Sequence, residues 1–313
     1  MTTQTQQTNS RYLLIGFLLA IFGTALFSVK SIFIKLAYAE GMDTDSVLML
    51  RMAIALPIYL VIMVWLFKSK PSPNLQGKLL KITFLGFIGY YLSSWLDLKG
   101  LEMISAQLER LTLFTYPIMV SLLGALFFKT PITRKLLGAL ILTYGGLVIA
   151  FYQELGFSGE NTGLGTLLVF LAALSFSFYV LFGKKLIHQV GSLWFTSLAM
   201  AISSGFVLAH YLLFNDFSDL HVTQMGWLWL ILLALVSTVI PSFMISEAIG
   251  RIGPAQTGVV GTLGPMVTIV LAVWILQEPF GLWQAIGLVL VLSGVSWLSY
   301  QPKKADLKRV EPL

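Results

Sequence analysis

The sequence predicts an all-α integral membrane protein, with ten transmembrane helices arranged as two inverted five-helix repeats. Three observations predict this. Of the 313 residues, 57% are apolar and 11% charged, against about 45–50% and about 25% in soluble domains. The charges cluster and leave ten apolar runs, each near the roughly 20 residues that cross ~30 Å of hydrocarbon. The two halves also match one another at offsets of 148 and 149 residues.

The runs follow in order. A Thr- and Gln-rich start, 1–11, is expected to be disordered and cytoplasmic. The first span, 12–37, is too long for a signal-peptide core and lacks a small-residue cleavage site, so it reads as retained. Spans at 47–67, 79–98, 103–128 and 134–152 complete the first half. The third and fourth almost touch at Lys99 to Glu102. The second half holds 163–184, 191–214, 226–247, 254–276 and 280–300, and a basic tail follows at 301–313. The domains are therefore 12–152 and 163–300.

Orientation follows from the positive-inside rule. With the N-terminus in the cytoplasm, 15 of the 20 basic residues fall in cytoplasmic segments, including Lys68, Lys78, Arg134, Lys185 and Arg251. The opposite loops hold at most Lys35 and Lys99, beside a set of acidic residues. Both termini are expected on the cytoplasmic side of a bacterial inner membrane.

Composition excludes several chemistries. The chain has no cysteine, which removes disulfides, thiolate metal sites and cysteine nucleophiles. His188, His210 and His221 share no metal-ligand spacing, and neither a Walker A nor a GxGxxG sequence is present. No metal, cofactor or ATP-driven step is expected. The net charge of +6 sits in loops between apolar runs, so it marks topology and not a nucleic-acid partner.

The repeat is specific in residue type. At offset 149, Gly16, Phe27, Ser28 and Lys35 match Gly165, Phe176, Ser177 and Lys184; at offset 148, Ile104, Pro117 and Pro131 match Ile252, Pro265 and Pro279. Five spans per half give the halves opposite orientation, an arrangement found in secondary transporters. The alternative is a duplicated membrane scaffold that transports nothing.

Particular residues then carry a family likeness. They are Gly100-Leu101 with Ile104-Ser105-Ala106-Gln107, then Pro117 and Leu122-Leu123-Gly124-Ala125. The second copy has Ile252-Gly253-Pro254-Ala255-Gln256, Gly264-Pro265, Glu278-Pro279 and Gly287. Across 12–300 the chain resembles the EamA-type branch of the drug/metabolite transporter superfamily. The resemblance implies a ten-helix carrier whose central cavity is lined by its first, third, fourth, sixth, eighth and ninth spans. It also implies proton- or gradient-driven movement of small metabolites, often export. Where the family often closes the fourth span with Gly-Glu, this chain has Lys129-Thr130-Pro131, which weakens a role for Glu278 by symmetry.

Charged groups at membrane depth are costly and usually face protein or water, so they are the site candidates. Lys30 either snorkels to the surface or faces a cavity and binds substrate or counter-ion. Glu109 and Arg110 point about 100° apart on the fourth span. Ser105, Glu109, Thr112 and Tyr116 share one stripe, which makes Glu109 the leading proton-coupling candidate; a structural pair with Lys30, Lys99 or Arg51 is its alternative. Arg110 reads as the more structural of the two. Arg51 and Asp97 read as interface anchors or as cavity charges, and Glu247 with Arg251 as a surface pair. Tyr116, Tyr179 and Trp95 are candidate aromatic walls. Pro117 and Pro265 are expected to kink their spans, with Gly261 and Gly264 permitting bending and close approach.

The function expected is a non-enzymatic secondary transporter, exporting a small organic solute by alternating access. Lys30, Arg51 and Arg110 outnumber Asp97 and Glu109, which points to an anionic or zwitterionic, amino-acid-like substrate. The partners are that solute and the bilayer, and a homodimer is left open. The alternatives are import through the same fold, a membrane enzyme for which no nucleophile–base spacing exists, and a sensor or scaffold.

Overall fold

The computed structural model describes residues 2–69, 73–129, 131–155 and 160–299. It is all-helical, with no strand among the described residues. The helices are α1 Thr2–Ser28, α2 Lys30–Ala39, α3 Thr44–Ser69, α4 Leu79–Gly86, α5 Ser93–Leu101, α6 Ala106–Leu113 and α7 Tyr116–Phe128. They continue as α8 Arg134–Glu154, α9 Thr162–Val190, α10 Ser192–Phe214, α11 Gln224–Ala234, α12 Ile240–Gly261, α13 Leu263–Ile275 and α14 Leu282–Ser299. Two π-helical turns, Phe87–Leu92 and Leu235–Val239, join α4 to α5 and α11 to α12. Among the described residues, eight segments are long and apolar enough to cross a membrane, from Tyr12–Ala39 to Gln224–Ala248; two shorter apolar helices, Leu263–Ile275 and Leu282–Leu298, follow.

Helix α1 is helical from Thr2, where the sequence predicts disorder; the tail at 301–313 lies outside the described residues. Extending a helix already nucleated by an apolar run costs little, and the start contains neither Gly nor Pro. Several starts are capped as their residues dictate: Ser105 accepts from Leu108 N at 3.1 Å and Thr133 from Leu136 N at 3.2 Å. Helix α9 ends at Gly191, whose φ of +88° suits a residue without Cβ.

The long segments are broken inside. Helix α1 stops at Ser28 and α2 restarts at Lys30. The expected kinks at Pro117 and Pro265 lie upstream of the prolines, at Phe114–Thr115 and at Thr262. The physical reason is that proline lacks an N–H and crowds the carbonyl four residues earlier. The preceding turn opens, and each proline sits near the start of the new helix, where a missing N–H costs nothing.

Packing is antiparallel and glycine-mediated. Modelling a Cβ on Gly16 would bring it 2.6 Å from Ile252 Cγ2, and one on Gly23 would meet Ile245 and Met244 at 3.1 Å, so α1 and α12 run in opposite directions. Gly264 instead faces Ser28 Oγ at 3.1 Å and Thr24. The chain therefore reverses between 252 and 264. The pairs α5/α9, α3/α10 and α8/α14 also pack closely. At the last of these, a Cβ on Gly146 would lie 2.7 Å from the Gly287 carbonyl oxygen. Large apolar side chains point outward on many helices, as with Leu80 at 79% and Ile141 at 75% exposure. A bilayer provides the apolar surroundings such a surface needs.

The crossing of α5 with α9 tests this packing. A Cβ on Gly100 would lie 2.6 Å from the Gly165 carbonyl oxygen, whereas one on Gly163, on the same helix α9, meets nothing within 4 Å. Gly100→Ala should lower unfolding stability by about 1–3 kcal/mol, and Gly163→Ala should change it by no more than about 0.5 kcal/mol. Thermal unfolding of both variants in detergent measures the contrast.

Candidate functional site

The break at Val29 builds the site. It places Lys30 at the first position of α2, 4% exposed, with its ammonium turned toward α5 and α6. Lys30 Nζ forms an ion pair with Asp97 Oδ2 and lies 3.7 Å from Glu109 Oε1. Ser31, beside it on α2, donates to Glu109 Oε2 at 2.7 Å. Glu109 is fully buried and Asp97 is 2% exposed. Asp97 Oδ1 and Glu109 Oε1 are both buried and accept no hydrogen bond. One ammonium thus serves two carboxylates, and each carboxylate keeps an oxygen in reserve.

The same break leaves carbonyls at the end of α1 without helical partners, and Arg110 and Thr268 use them. Arg110 Nη2 donates to the Phe27 carbonyl at 3.0 Å, and its Nε to Thr268 Oγ1 at 3.0 Å. Thr268 donates in turn to the Ser28 carbonyl at 2.8 Å. The Phe27 ring lies between the cations, 5.7 Å from Lys30 Nζ and 5.4 Å from Arg110 Cζ. Arg110 therefore clamps α1, α6 and α13 together.

Arg51 and Asp97 are buried within the protein, at 4% and 2% exposure. A charge this deep is held by partners. Arg51 Nε donates to Thr238 Oγ1 at 2.9 Å, and Thr238 donates to the Leu233 carbonyl at 2.8 Å across the second π turn. Arg51 Nη1 is buried and makes no hydrogen bond. Glu247 and Arg251 form the expected i,i+4 pair at 2.8 Å.

Tyr116 and Tyr179 stand on either side of Phe176, with ring centroids at 5.3 and 5.6 Å, and Tyr179 donates to the Tyr90 hydroxyl at 3.3 Å. Trp95 lies apart from them, donating to Asp45 Oδ1 at 2.8 Å in a second polar cluster with Tyr91 and His210. Gly264 makes the expected close approach to α1, and Gly261 makes none. Sequence reasoning noted Glu278 but discounted a role for it by symmetry. Its carboxylate accepts from Ala106 N at 2.7 Å and Gln107 N at 3.2 Å, capping α6, the helix that carries Glu109. The sequence signal was available, since an acidic residue near a helix N-terminus is favoured, but the helix it caps lies 172 residues earlier in the chain.

Comparison with known proteins now becomes decisive. The model of the EamA-like transporter family matches residues 14–152 and again 163–300. The chain belongs to that family. An uncharacterized transporter of Bacillus subtilis, YcbK, is 27% identical to this EamA-like chain over 97% of it and 98% of the relative. A WAT1-related protein of Arabidopsis thaliana is 25% identical over 90% of the chain and 88% of its own length. One solved crystal structure shares the fold, with a TM-score of 0.60 at 16% identity over 92% of this chain and 96% of that one. The protein is thus a multi-pass membrane protein of a transporter family.

The ion cluster predicts a specific mutational pattern. Lys30→Met leaves two buried carboxylates without their counter-charge and should cost about 3–5 kcal/mol. Lys30→Met combined with Asp97→Leu removes a charge of each sign and should recover part of that loss. A double-mutant cycle on thermal stability in detergent measures the coupling.

Proposed function

We propose that the protein is a secondary active transporter that exports a small anionic or zwitterionic, amino-acid-like metabolite in exchange for protons, by alternating access. In this reading the helices make ten crossings, with α13 and α14 as the last two, and the two halves are inverted repeats. Both termini face the cytoplasm of a bacterial inner membrane. Backbone irregularities recurring at offsets of 147 to 148 residues support the repeat. The π turns start at Phe87 and Leu235, the half-helices α7 and α13 follow breaks at Thr115 and Thr262, and the left-handed residues Lys129 and Gln277 lie 148 apart.

The observation that carries the proposal is the Lys30–Asp97–Glu109 cluster. Glu109 takes the role of proton carrier: one ammonium between two carboxylates suits a site that loads and releases a single proton. Arg51 and Lys30 supply positive charge for a substrate carboxylate, and Asp97 charge for an amino group. Tyr116 and Tyr179 wall the cavity, and the breaks before Pro117 and Pro265, with Gly261 and Gly264, let the half-helices pivot. Arg110 holds the frame. Import through the same fold is the second reading, because a carrier runs down whichever gradient is present.

The test is untargeted mass spectrometry of medium and cytosol from cells with equal membrane levels of wild type or Glu109→Gln. A metabolite bearing a carboxylate should accumulate in the medium with wild type and fall to the empty-vector level with the variant. Accumulation of an amine lacking any acidic group, or equal export by both proteins, would contradict the assignment. Wild-type enrichment in the cytosol would establish import instead.

A further inference from the structure

The turn that ends α13 is built to return to α6. Gln277 takes a left-handed conformation, φ +56°, and the Glu278 N–H folds back to the Ala272 carbonyl at 3.2 Å. Both oxygens of Glu278 then accept from the first N–H groups of α6, and Gln107 Nε2 donates to the Pro279 carbonyl at 3.1 Å. A carboxylate at a helix start gains from both the hydrogen bonds and the helix dipole. These contacts tie the end of α13, in the second half, to α6 of the first.

The tie also borders an open pocket. Glu278 and Pro279, with Lys35, Glu102, Met103, Ile104 and Ser105, line a cavity of about 280 Å³. Ala106 and Gln107 below it are buried, and Glu109 follows one turn after Ser105 on the same helix face. Opening a path from this cavity to Glu109 requires the α13 end and the start of α6 to separate.

After α7, Lys129 is left-handed as Gln277 is, but no carboxylate follows it in the sequence. Lys129 has φ +53° and occupies the position that Gln277 occupies 148 residues later. The next residue is Thr130 in one copy and Glu278 in the other, and proline follows both, as Pro131 and Pro279. A threonine brings no charge to a helix start.

We infer that Glu278 is the gate latch of this carrier, holding the end of α13 against the start of α6. The protein therefore rests closed at the face carrying Lys35, Glu102 and Glu278. The inference rests on the alternating-access reading, and its test needs no substrate.

The cysteine-free sequence gives a clean background for labelling. Ala106→Cys and, separately, Leu108→Cys place a thiol at buried positions under the latch, 0% and 1% exposed. Purified in detergent, each reporter should react slowly with a polar maleimide while Glu278 is present. Adding Glu278→Ala should raise the rate about tenfold, as expected for losing one charged cap. Glu278→Gln, which still accepts hydrogen bonds, should fall between them. An elution volume matching wild type and a retained cooperative melt show that the variant is folded. Unchanged labelling at both reporters, or fast labelling with Glu278 in place, overturns the latch. Faster labelling in a protein that moves no metabolite would keep the latch and overturn the transport reading.

Discussion

A charge buried at membrane depth must be met by another, and in this protein that requirement falls on Lys30. Its ammonium has Asp97 from α5 and Glu109 from α6 as counter-ions, and it reaches them because α1 gives way at Val29. The break would be costly if its carbonyls were left bare in hydrocarbon. Arg110 and Thr268 use the carbonyls of Phe27 and Ser28, which fixes α6 and α13 against the same turn. The ion cluster, the helix break and the meeting of first-half and second-half helices are consequences of one another. The glycine crossings of α1 with α12 and of α5 with α9 bring the backbones close enough for these short polar contacts.

The charges are distributed unequally between the halves. At the repeat offsets, Lys30 corresponds to Tyr179, Arg51 to Met200, Asp97 to Ile245, Glu109 to Thr257 and Arg110 to Gly258. Every buried ion of the cluster thus comes from the first half. The second half contributes hydroxyls, through Thr238 and Thr268, and the aromatic Tyr179. Helix α9 runs unbroken where its counterpart segment breaks at Val29, in keeping with its having no ammonium to place. A scaffold matched twice by one family model thus shares backbone irregularities between its halves while one half holds the buried charges.

Much of this was legible in the sequence because hydrocarbon imposes simple rules. Apolar run length located the helices, and the scarcity of membrane-depth charge singled out Lys30, Asp97, Glu109 and Arg110 before any contact was known. Pairing was not legible. Asp97 and Arg51 lie near the ends of their spans, where the sequence favours surface anchors, and only tertiary contacts bury them. The break at Val29 has no proline or glycine beside it to announce it. The prolines revealed that α7 and α13 follow breaks but not where those breaks fall, since the disturbed turn precedes the residue that causes it. Glu278 was visible in the sequence but its role was not, because a cap supplied across 172 residues leaves no local pattern.

Alternating access around the buried cluster is the central claim, and Ser31 reports on it most directly. Ser31 is fully buried and donates to Glu109, so solvent can reach it only when a gate opens. A single cysteine replacing Ser31, in sealed vesicles, can be challenged with a membrane-impermeant maleimide applied to one side at a time. The account predicts labelling from each side separately, with neither route requiring the other to be open. Labelling from one side alone, or from neither, would contradict it.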